Sequence, residues 1–143
     1  MPLQMLATLC AGLFAGAAVY INAVEHPARM SCGTSVALAE WAPSYQRAAV
    51  MQASLAIVGS LAALVAWLSG AGAGWLLGGV LLASVIAFTL LVILPTNKAL
   101  LDPAAARDLE RAGHLLGRWN RLHAVRSVVG VVAFALFLVL LRA

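Results

Sequence analysis

The stretch 75-WLLGGVLLASVIAFTLLVIL-94 contains no ionisable side chain, and its length matches the roughly 20 apolar residues that span a bilayer. Three further stretches have the same character, at about 3–24, 48–68 and 119–141. Of the 143 residues, 64% are hydrophobic and only 10% are charged, a composition outside the range of soluble domains. The sequence therefore predicts an all-α integral membrane four-helix bundle, with residues 1–143 forming one domain.

The basic residues are distributed unevenly around these spans. Arg29 and Arg47 flank the first connecting segment, and only Arg142 lies at the opposite face. The other six lie in or beside the third connecting segment: Lys98, Arg107, Arg111, Arg118, Arg121 and Arg126. By the positive-inside rule, segments 25–47 and 96–122 are predicted to be cytoplasmic loops of a multi-pass cell-membrane protein, with both termini outside. We therefore expect the basic residues behind the net charge of +4 to lie at the membrane surface, and we expect no nucleic-acid partner.

The third connecting segment predicts a short amphipathic helical extension before the fourth span. Asp102 followed by Pro103 is typical of a helix N-cap with proline in the first turn. From there the chain can continue as one helix into the fourth span. The basic residues between Arg107 and Arg121 then share a face with His114. Such a stripe usually contacts lipid phosphates, so we assign it to the lipid bilayer rather than to a site.

Polar residues concentrate at one face of the predicted bundle. With four crossings, the ends of spans one and three meet the starts of spans two and four at the same membrane face. The opposite face, which holds 69-SGAGAG-74 and the termini, has nothing comparable. Polar and ionisable groups inside a membrane bundle are functional candidates by default. The candidate site residues are Asn22, His26, Tyr45, Gln52, Asn97, Trp119, His123 and Arg126.

Helical phase predicts which of these side chains point into the bundle. Counted from Gly12 on the first span, His26 lies about 40° away and Glu25 about 140° away. On the fourth span, His123 and Arg126 share a face that turns away from the basic stripe. We therefore expect the two histidines and Arg126 to point inward, and Glu25 to point sideways.

These residues are compatible with more than one chemistry. In a metal-free site, His26 or His123 would act as a general base, and Arg126 with Asn97 would stabilise an anion. Iron or copper would use the two histidines as ligands, but Glu25 is predicted to point away and other carboxylates are distant. A haem held by histidine is less favoured still, because the glycine and alanine packing leaves little room. A site without a cofactor is the preferred interpretation.

A non-catalytic function is the alternative. A small transporter-like protein or a small-molecule binding protein would have the same four spans. Small proton-coupled exporters need an ionisable group within the hydrocarbon, and here no Asp, Glu, Lys or Arg lies in the middle of a span. This argues against the transporter, although the residues alone leave it open.

Several runs resemble the anthrone oxygenase-like family of small four-helix membrane proteins. They are AGLFAGAAVYINAVEHPAR, YQRAAVMQASLA, LPTNKALL and RWNRLHAVRS, and the likeness covers essentially the whole chain. The more specific elements are His-Pro after the first span, Pro-x-Asn after the third and Trp-x-x-x-His-x-x-Arg opening the fourth. The resemblance implies an oxygenase that inserts oxygen from O₂ into an anthrone, giving an anthraquinone, without a conventional organic cofactor.

The residues and the resemblance together predict a pocket at the cytoplasmic end of the bundle. Its ligand would be a hydrophobic aromatic small molecule, anthrone-like or another acidic aromatic or quinol. The predicted catalytic residues are His26, His123, Arg126 and Asn97. The predicted substrate-binding residues are Tyr45, Gln52, Trp119 and Asn22. A homo-oligomer is left open.

Overall fold

The structure is a computed structural model that describes residues 1–142. Four helical segments are long and apolar enough to cross a membrane: Pro2–Ser31, Thr34–Leu68, Ala73–Leu101 and Leu109–Arg142. Residues 1–142 contain no β-strand. The prediction of an all-α, multi-pass membrane bundle is confirmed.

The four segments are built from α-helices interrupted by two π-helical turns and preceded, in the last case, by a 3₁₀ turn. In chain order the elements are α1 (Pro2–Tyr20), a first π-helical turn (Ile21–Glu25), α2 (His26–Ser31), α3 (Thr34–Leu68), α4 (Ala73–Phe88), a second π-helical turn (Thr89–Ile93), α5 (Leu94–Leu101), a 3₁₀ turn (Pro103–Arg107) and α6 (Leu109–Arg142). The first segment packs against the second and the fourth. The third segment also packs against the second and the fourth.

Both π-helical turns have a local cause in the sequence. Each directly precedes a short helix that has proline at its second position, Pro27 in α2 and Pro95 in α5. Proline has no backbone N–H, and its ring clashes with the carbonyl four residues before it. That carbonyl lies within the π-helical turn in both cases, where the wider turn accommodates the ring. The two wide turns lie at the same end of the bundle.

The helices extend well past the predicted spans. Segment 25–47, predicted as a loop, is helical except at Cys32 and Gly33. Gly33 has a φ of 88°, a conformation that glycine adopts without strain and that lets the chain reverse within two residues. The prediction of a loop here is wrong, and the polar end of the bundle is built on helices.

The amphipathic extension is present as the first turns of α6, but it begins later than predicted. The Asp102 carboxylate accepts the N–H of Ala104 at 2.8 Å and caps only the 3₁₀ turn. Asp108 interrupts the helix, and its own carboxylate accepts the N–H of Arg111 at 3.0 Å to start α6. An aspartate that bonds to nearby backbone competes with helix continuation, which explains the break.

Two groups of buried residues fill the bundle. The terminal core lies towards the chain termini and is made of alanines, Phe14, Trp75, Leu82 and Phe137. The polar-end core contains Trp41 and Trp119 together with aliphatic residues. The candidate site lies next to the polar-end core.

Candidate functional site

A cavity of about 210 Å³ lies among all four helical segments at the polar end. Most of its wall is apolar, supplied by α3 and by the segment from α4 to α5. Its polar and aromatic lining residues are Phe14, Glu25, Arg29, Ser44, Tyr45, Gln52, Thr89, Trp119, His123 and Arg126. The volume lies below the 300–1,000 Å³ typical of ligand pockets, which restricts the site to a small ligand.

His123 lies on this wall and is held from behind by the first segment. Its Nδ1 lies 2.9 Å from the Oδ1 atom of Asn22. The amide nitrogen of Asn22 donates to the side-chain and backbone oxygens of Asn120, at 2.7 and 3.0 Å. Ser127 donates to the same Asn22 Oδ1 at 2.5 Å. These bonds fix the orientation of the Asn22 amide.

The orientation of the Asn22 amide determines the tautomer of His123. The Asn22 nitrogen has two oxygen acceptors, so the atom facing His123 is the carbonyl oxygen, which can only accept. Nδ1 of a neutral His123 therefore carries the proton, and Nε2 keeps its lone pair. Nε2 forms no hydrogen bond with any residue in the range 1–142. This is the arrangement that a general base requires.

Arg126 supplies a positive charge in the same cavity. Its guanidinium donates to Gln52 Oε1 at 3.0 Å, and its Cζ lies 5.6 Å from the ring centroid of Phe14. Across residues 1–142 it forms no salt bridge, and its buried Nε has no hydrogen-bond partner. A half-buried arginine with a free donor can bind an anionic oxygen.

Tyr45 is the third polar group of the wall, and Asn97 holds it. The Asn97 amide nitrogen donates to the Tyr45 hydroxyl oxygen at 3.0 Å. The Tyr45 ring stacks on Trp41, with centroids 4.8 Å apart and an interplanar angle of 3°. The hydroxyl proton is not donated to any group in the described chain, so Tyr45 can donate it to a ligand.

Trp119 forms an aromatic wall and separates the two histidines. Its ring centroid lies 4.9 Å from that of His123 and 5.6 Å from that of His26. His26 is buried behind Trp119 and does not line the cavity. Its Nδ1 has no hydrogen-bond partner within residues 1–142. The expectation that both histidines flank one pocket holds only for His123.

An ionic cluster lines part of the cavity. Arg29 is buried and forms salt bridges with Glu25 and with Glu40, the latter at 2.6 Å. Ser44 donates to the Glu25 carboxylate at 2.5 Å. Glu25 and Arg29 both line the cavity, so the prediction that Glu25 points away from the site is wrong.

The first π-helical turn explains the misplacement of both Glu25 and His26. An α-helical repeat from Gly12 assumes hydrogen bonds that close over four residues, whereas a π-helical turn closes them over five. Side chains that follow Ile21 are therefore rotated relative to an α-helix, which brings Glu25 onto the wall and moves His26 behind it.

Comparison with known proteins identifies the family. The sequence model of the anthrone oxygenase family matches residues 41–136. The chain belongs to the anthrone oxygenase family. It is 31% identical over 136 residues to the anthrone oxygenase tpcL of Aspergillus fumigatus, a match that covers 87% of this chain and 84% of the relative. No solved structure matches the chain.

The structure of this anthrone oxygenase family member sorts the predicted site residues into two groups. Those on the cavity wall are Tyr45, Gln52, Trp119, His123 and Arg126. Those behind it are Asn22, His26 and Asn97. Asn22 and Asn97 each bond to a residue on the wall. Asn22, predicted to bind substrate, lies behind the wall with its Oδ1 atom against Nδ1 of His123.

Other residues of the site carried no signal in the sequence. Ser127 and Phe14 lie within predicted spans, where their residue types are typical of ordinary packing positions. Ser44 was expected in a loop, and only the early start of α3 places it on the wall. The basic groove formed by Arg111, His114 and Arg118 lies at the surface, apart from the cavity, as predicted.

The side chains able to ligate a metal are few near the cavity. Residues 1–142 contain no group of three or more His, Cys, Asp or Glu side chains placed to hold one metal ion. His26 and His123 would supply two ligands at most, and the Nδ1 atom of His123 is already bonded to Asn22.

Proposed function

We propose that this protein is an oxygenase that converts an anthrone-like substrate, or a similar acidic aromatic compound, to the corresponding quinone with O₂. One observation carries the proposal: in the same cavity, His123 has a free Nε2 and Arg126 has no acidic partner. The name of the Aspergillus fumigatus relative and the family membership support the same reaction class.

In the proposed first step, Nε2 of His123 removes a proton from the methylene carbon opposite the anthrone carbonyl. The negative charge delocalises onto the carbonyl oxygen. Arg126 and the Tyr45 hydroxyl stabilise this oxyanion by donating hydrogen bonds that strengthen as the charge develops. Trp119 provides a flat surface on which the tricyclic ring can stack.

In the proposed second step, the carbanion reduces O₂ by one electron, and the radical pair combines to form a carbon–oxygen bond. The resulting hydroperoxide loses its remaining C–H proton as the O–O bond breaks. The carbon becomes a carbonyl, and hydroxide leaves with a proton as water. The sum is anthrone plus O₂ giving anthraquinone plus water, so no external reductant is required.

The residues behind the wall have positioning roles in this proposal. Asn22 holds His123 in the tautomer with a free Nε2. Asn97, predicted from the sequence to stabilise the anion, orients the Tyr45 hydroxyl in this proposal. His26 supports the Trp119 ring and is the second candidate base.

We propose that the reaction uses no organic cofactor, because the substrate carbanion itself can reduce O₂. Bound iron or copper is the competing proposal, and haem is a weaker one. Elemental analysis and an absorption spectrum of the purified protein decide among them. Stoichiometric iron or copper would support the metal, and a Soret band would support haem.

The test of the oxygenase is turnover of anthrone by purified protein in liposomes under ¹⁸O₂. We expect O₂ consumption equal to anthraquinone formation, with one ¹⁸O atom in the product and the other in water. Anthrone that binds without oxygen consumption would support the alternative of a non-catalytic binding protein.

We further propose that the polar end faces the cytoplasm in the cell membrane, with both termini outside. The distribution of basic residues supports this orientation. Cys32 is exposed at the turn between the first two segments, whereas Cys10 is buried. A membrane-impermeant thiol reagent added outside intact cells should leave Cys32 unlabelled. Labelling from outside would reverse the orientation.

A further inference from the structure

The cavity is open sideways, between α3 and the segment from α4 to α5. Ala53 of α3 and Leu90 of the second π-helical turn line the cavity and are also exposed on the outer surface, Leu90 to 58%. α3 packs closely along α4, but its contacts become sparse towards the second π-helical turn and α5. The interior therefore reaches the surface between these two residues.

The opening results from a difference in side-chain size. The cavity face of α3 consists largely of alanines, at positions 48, 49, 53 and 56. Their small side chains cannot bridge the space to Ile86, Leu90 and Leu94 on the opposite helices. A row of leucines at these alanine positions would fill the gap.

The surroundings of this opening are apolar. The exposed neighbours of Ala53 and Leu90 along their helices include Val50, Ile57 and Leu91. Both sides of the opening belong to helical segments that are apolar enough to cross a membrane. The opening therefore faces the hydrocarbon of the bilayer and not water.

The ionic cluster lies between the cavity and a groove at the surface. Glu25 and Ser44 line the cavity on one side and a shallow surface groove with Glu40 and Arg47 on the other. These two residues share a 2.5 Å hydrogen bond, and buried Arg29 binds both. A ligand arriving from water would have to break this cluster.

We propose that the gap between Ala53 and Leu90 is a lateral portal through which substrate enters from the bilayer. The ligand class is a flat, lipid-soluble aromatic that crosses the portal uncharged and loses its proton only at His123. A charged form would be excluded, because moving an ion into hydrocarbon is costly. The chemical identity of the substrate rests on the proposed function, but the portal itself can be tested by binding alone.

The experiment measures the association of 9,10-anthraquinone, which cannot be turned over, with the protein in phosphatidylcholine vesicles. Quenching of tryptophan fluorescence reports binding, since Trp119 lines the cavity. Ala53→Phe narrows the portal, and Ala87→Phe, at an exposed position outside the cavity, is the matched control. We expect Ala53→Phe to slow association by about tenfold or more, and Ala87→Phe to leave it unchanged.

A second pair of variants works in the opposite direction and does not depend on Ala53→Phe folding. Leu90→Ala should widen the portal and speed association. Leu91→Ala, at a neighbouring residue that is 78% exposed and outside the cavity, should not. Equal rates for Leu90→Ala and Leu91→Ala would overturn the proposal. So would unaltered association in Ala53→Phe, or slowing by Ser44→Phe alone, which would indicate the route from water.

Failure of the portal and failure of the oxygenase are distinguishable. If association follows the portal pattern while anthrone is never oxidised, only the proposed reaction is lost. If Ala53→Phe oxidises anthrone but binds 9,10-anthraquinone at the wild-type rate, the reaction stands and the portal is wrong.

Discussion

The two ends of the bundle differ in how tightly their side chains are packed. At the terminal end, glycines allow large side chains to approach the backbone. A Cβ at Gly74 would lie 2.7 Å from Leu140, and one at Gly78 would overlap the Phe137 ring. At the polar end, alanines on α3 face an empty cavity whose polar groups are held by hydrogen bonds between helices.

Because of this difference, we expect the terminal end to determine stability and the polar end to determine catalysis. In a bilayer, helices associate mainly through close packing, because lipid is as apolar as the side chains it would replace. The terminal end gains that packing. The polar end is less closely packed around the cavity. Its side chains are ordered by hydrogen bonds such as the one between Asn22 and His123. Substitutions at the polar end should change turnover, and substitutions at the terminal end should change stability.

The largest effect on turnover is expected at His123. Loss of a general base typically lowers a rate by roughly 10² to 10⁴. His123→Ala should lower kcat for anthrone by this factor while the protein still inserts and folds. His114→Ala, at an exposed position of the same helix, is the control and should be nearly silent. A His123→Ala variant with lower yield but unchanged turnover per folded molecule would make His123 structural.

A substitution at Arg126 should lower activity without lowering stability to match. Arg126→Met removes the anion-binding group and should lower kcat/KM by about 10²- to 10³-fold. The variant removes a half-buried charge that has no acidic partner, but it also leaves the buried Gln52 Oε1 without its donor, so the melting temperature should change little. Arg118→Met, on the exposed face, controls for loss of charge. A large drop in melting temperature with normal turnover would show that Arg126 only ties the helices together.

A substitution at Asn22 tests the role of the residues behind the cavity wall. Asn22→Leu removes the bond to Nδ1 of His123 without touching the cavity, so the imidazole can adopt the other tautomer. The variant also loses the Asn22 bonds to Asn120 and Ser127. Loss of the one bond that orients His123 should lower kcat by roughly tenfold, with KM little changed. The outcome is measured by oxygen uptake across a range of anthrone concentrations. A selective rise in KM would instead make Asn22 a substrate-binding residue, as its sequence position first suggested.

The sequence was sufficient for the architecture because a bilayer leaves few choices. Apolar runs such as 75–94 must form helices, since backbone polar groups cannot remain unpaired in lipid. The meeting of His123, Arg126 and Tyr45 followed from the number of crossings and from α-helical phase, and the structure places all three on one cavity wall.

The remaining features depend on geometry that single-residue patterns do not encode. The π-helical turn from Ile21 to Glu25 rotates every side chain after it, which defeats an α-helical phase count. The cavity itself depends on alanines of α3 facing larger residues across a gap, and an alanine gives the same sequence signal whether it is packed or left uncovered. Ser127 is recognisable only once its bond to Asn22 is seen.

The smallest effect on turnover is expected at the glycines of the terminal end. Gly78→Ala forces a methyl group against the Phe137 ring, and overpacking of this kind costs about 1–3 kcal/mol. Gly16→Ala is the matched control: its Cβ would meet nothing within 4 Å, so only the gain in helix propensity of up to about 1 kcal/mol applies. Unfolding in mixed detergent should therefore shift in opposite directions for the two variants, while turnover per folded molecule stays at the wild-type value. Reduced turnover of folded Gly78→Ala would mean that the packed end also shapes the cavity, and the division between the two ends would fail.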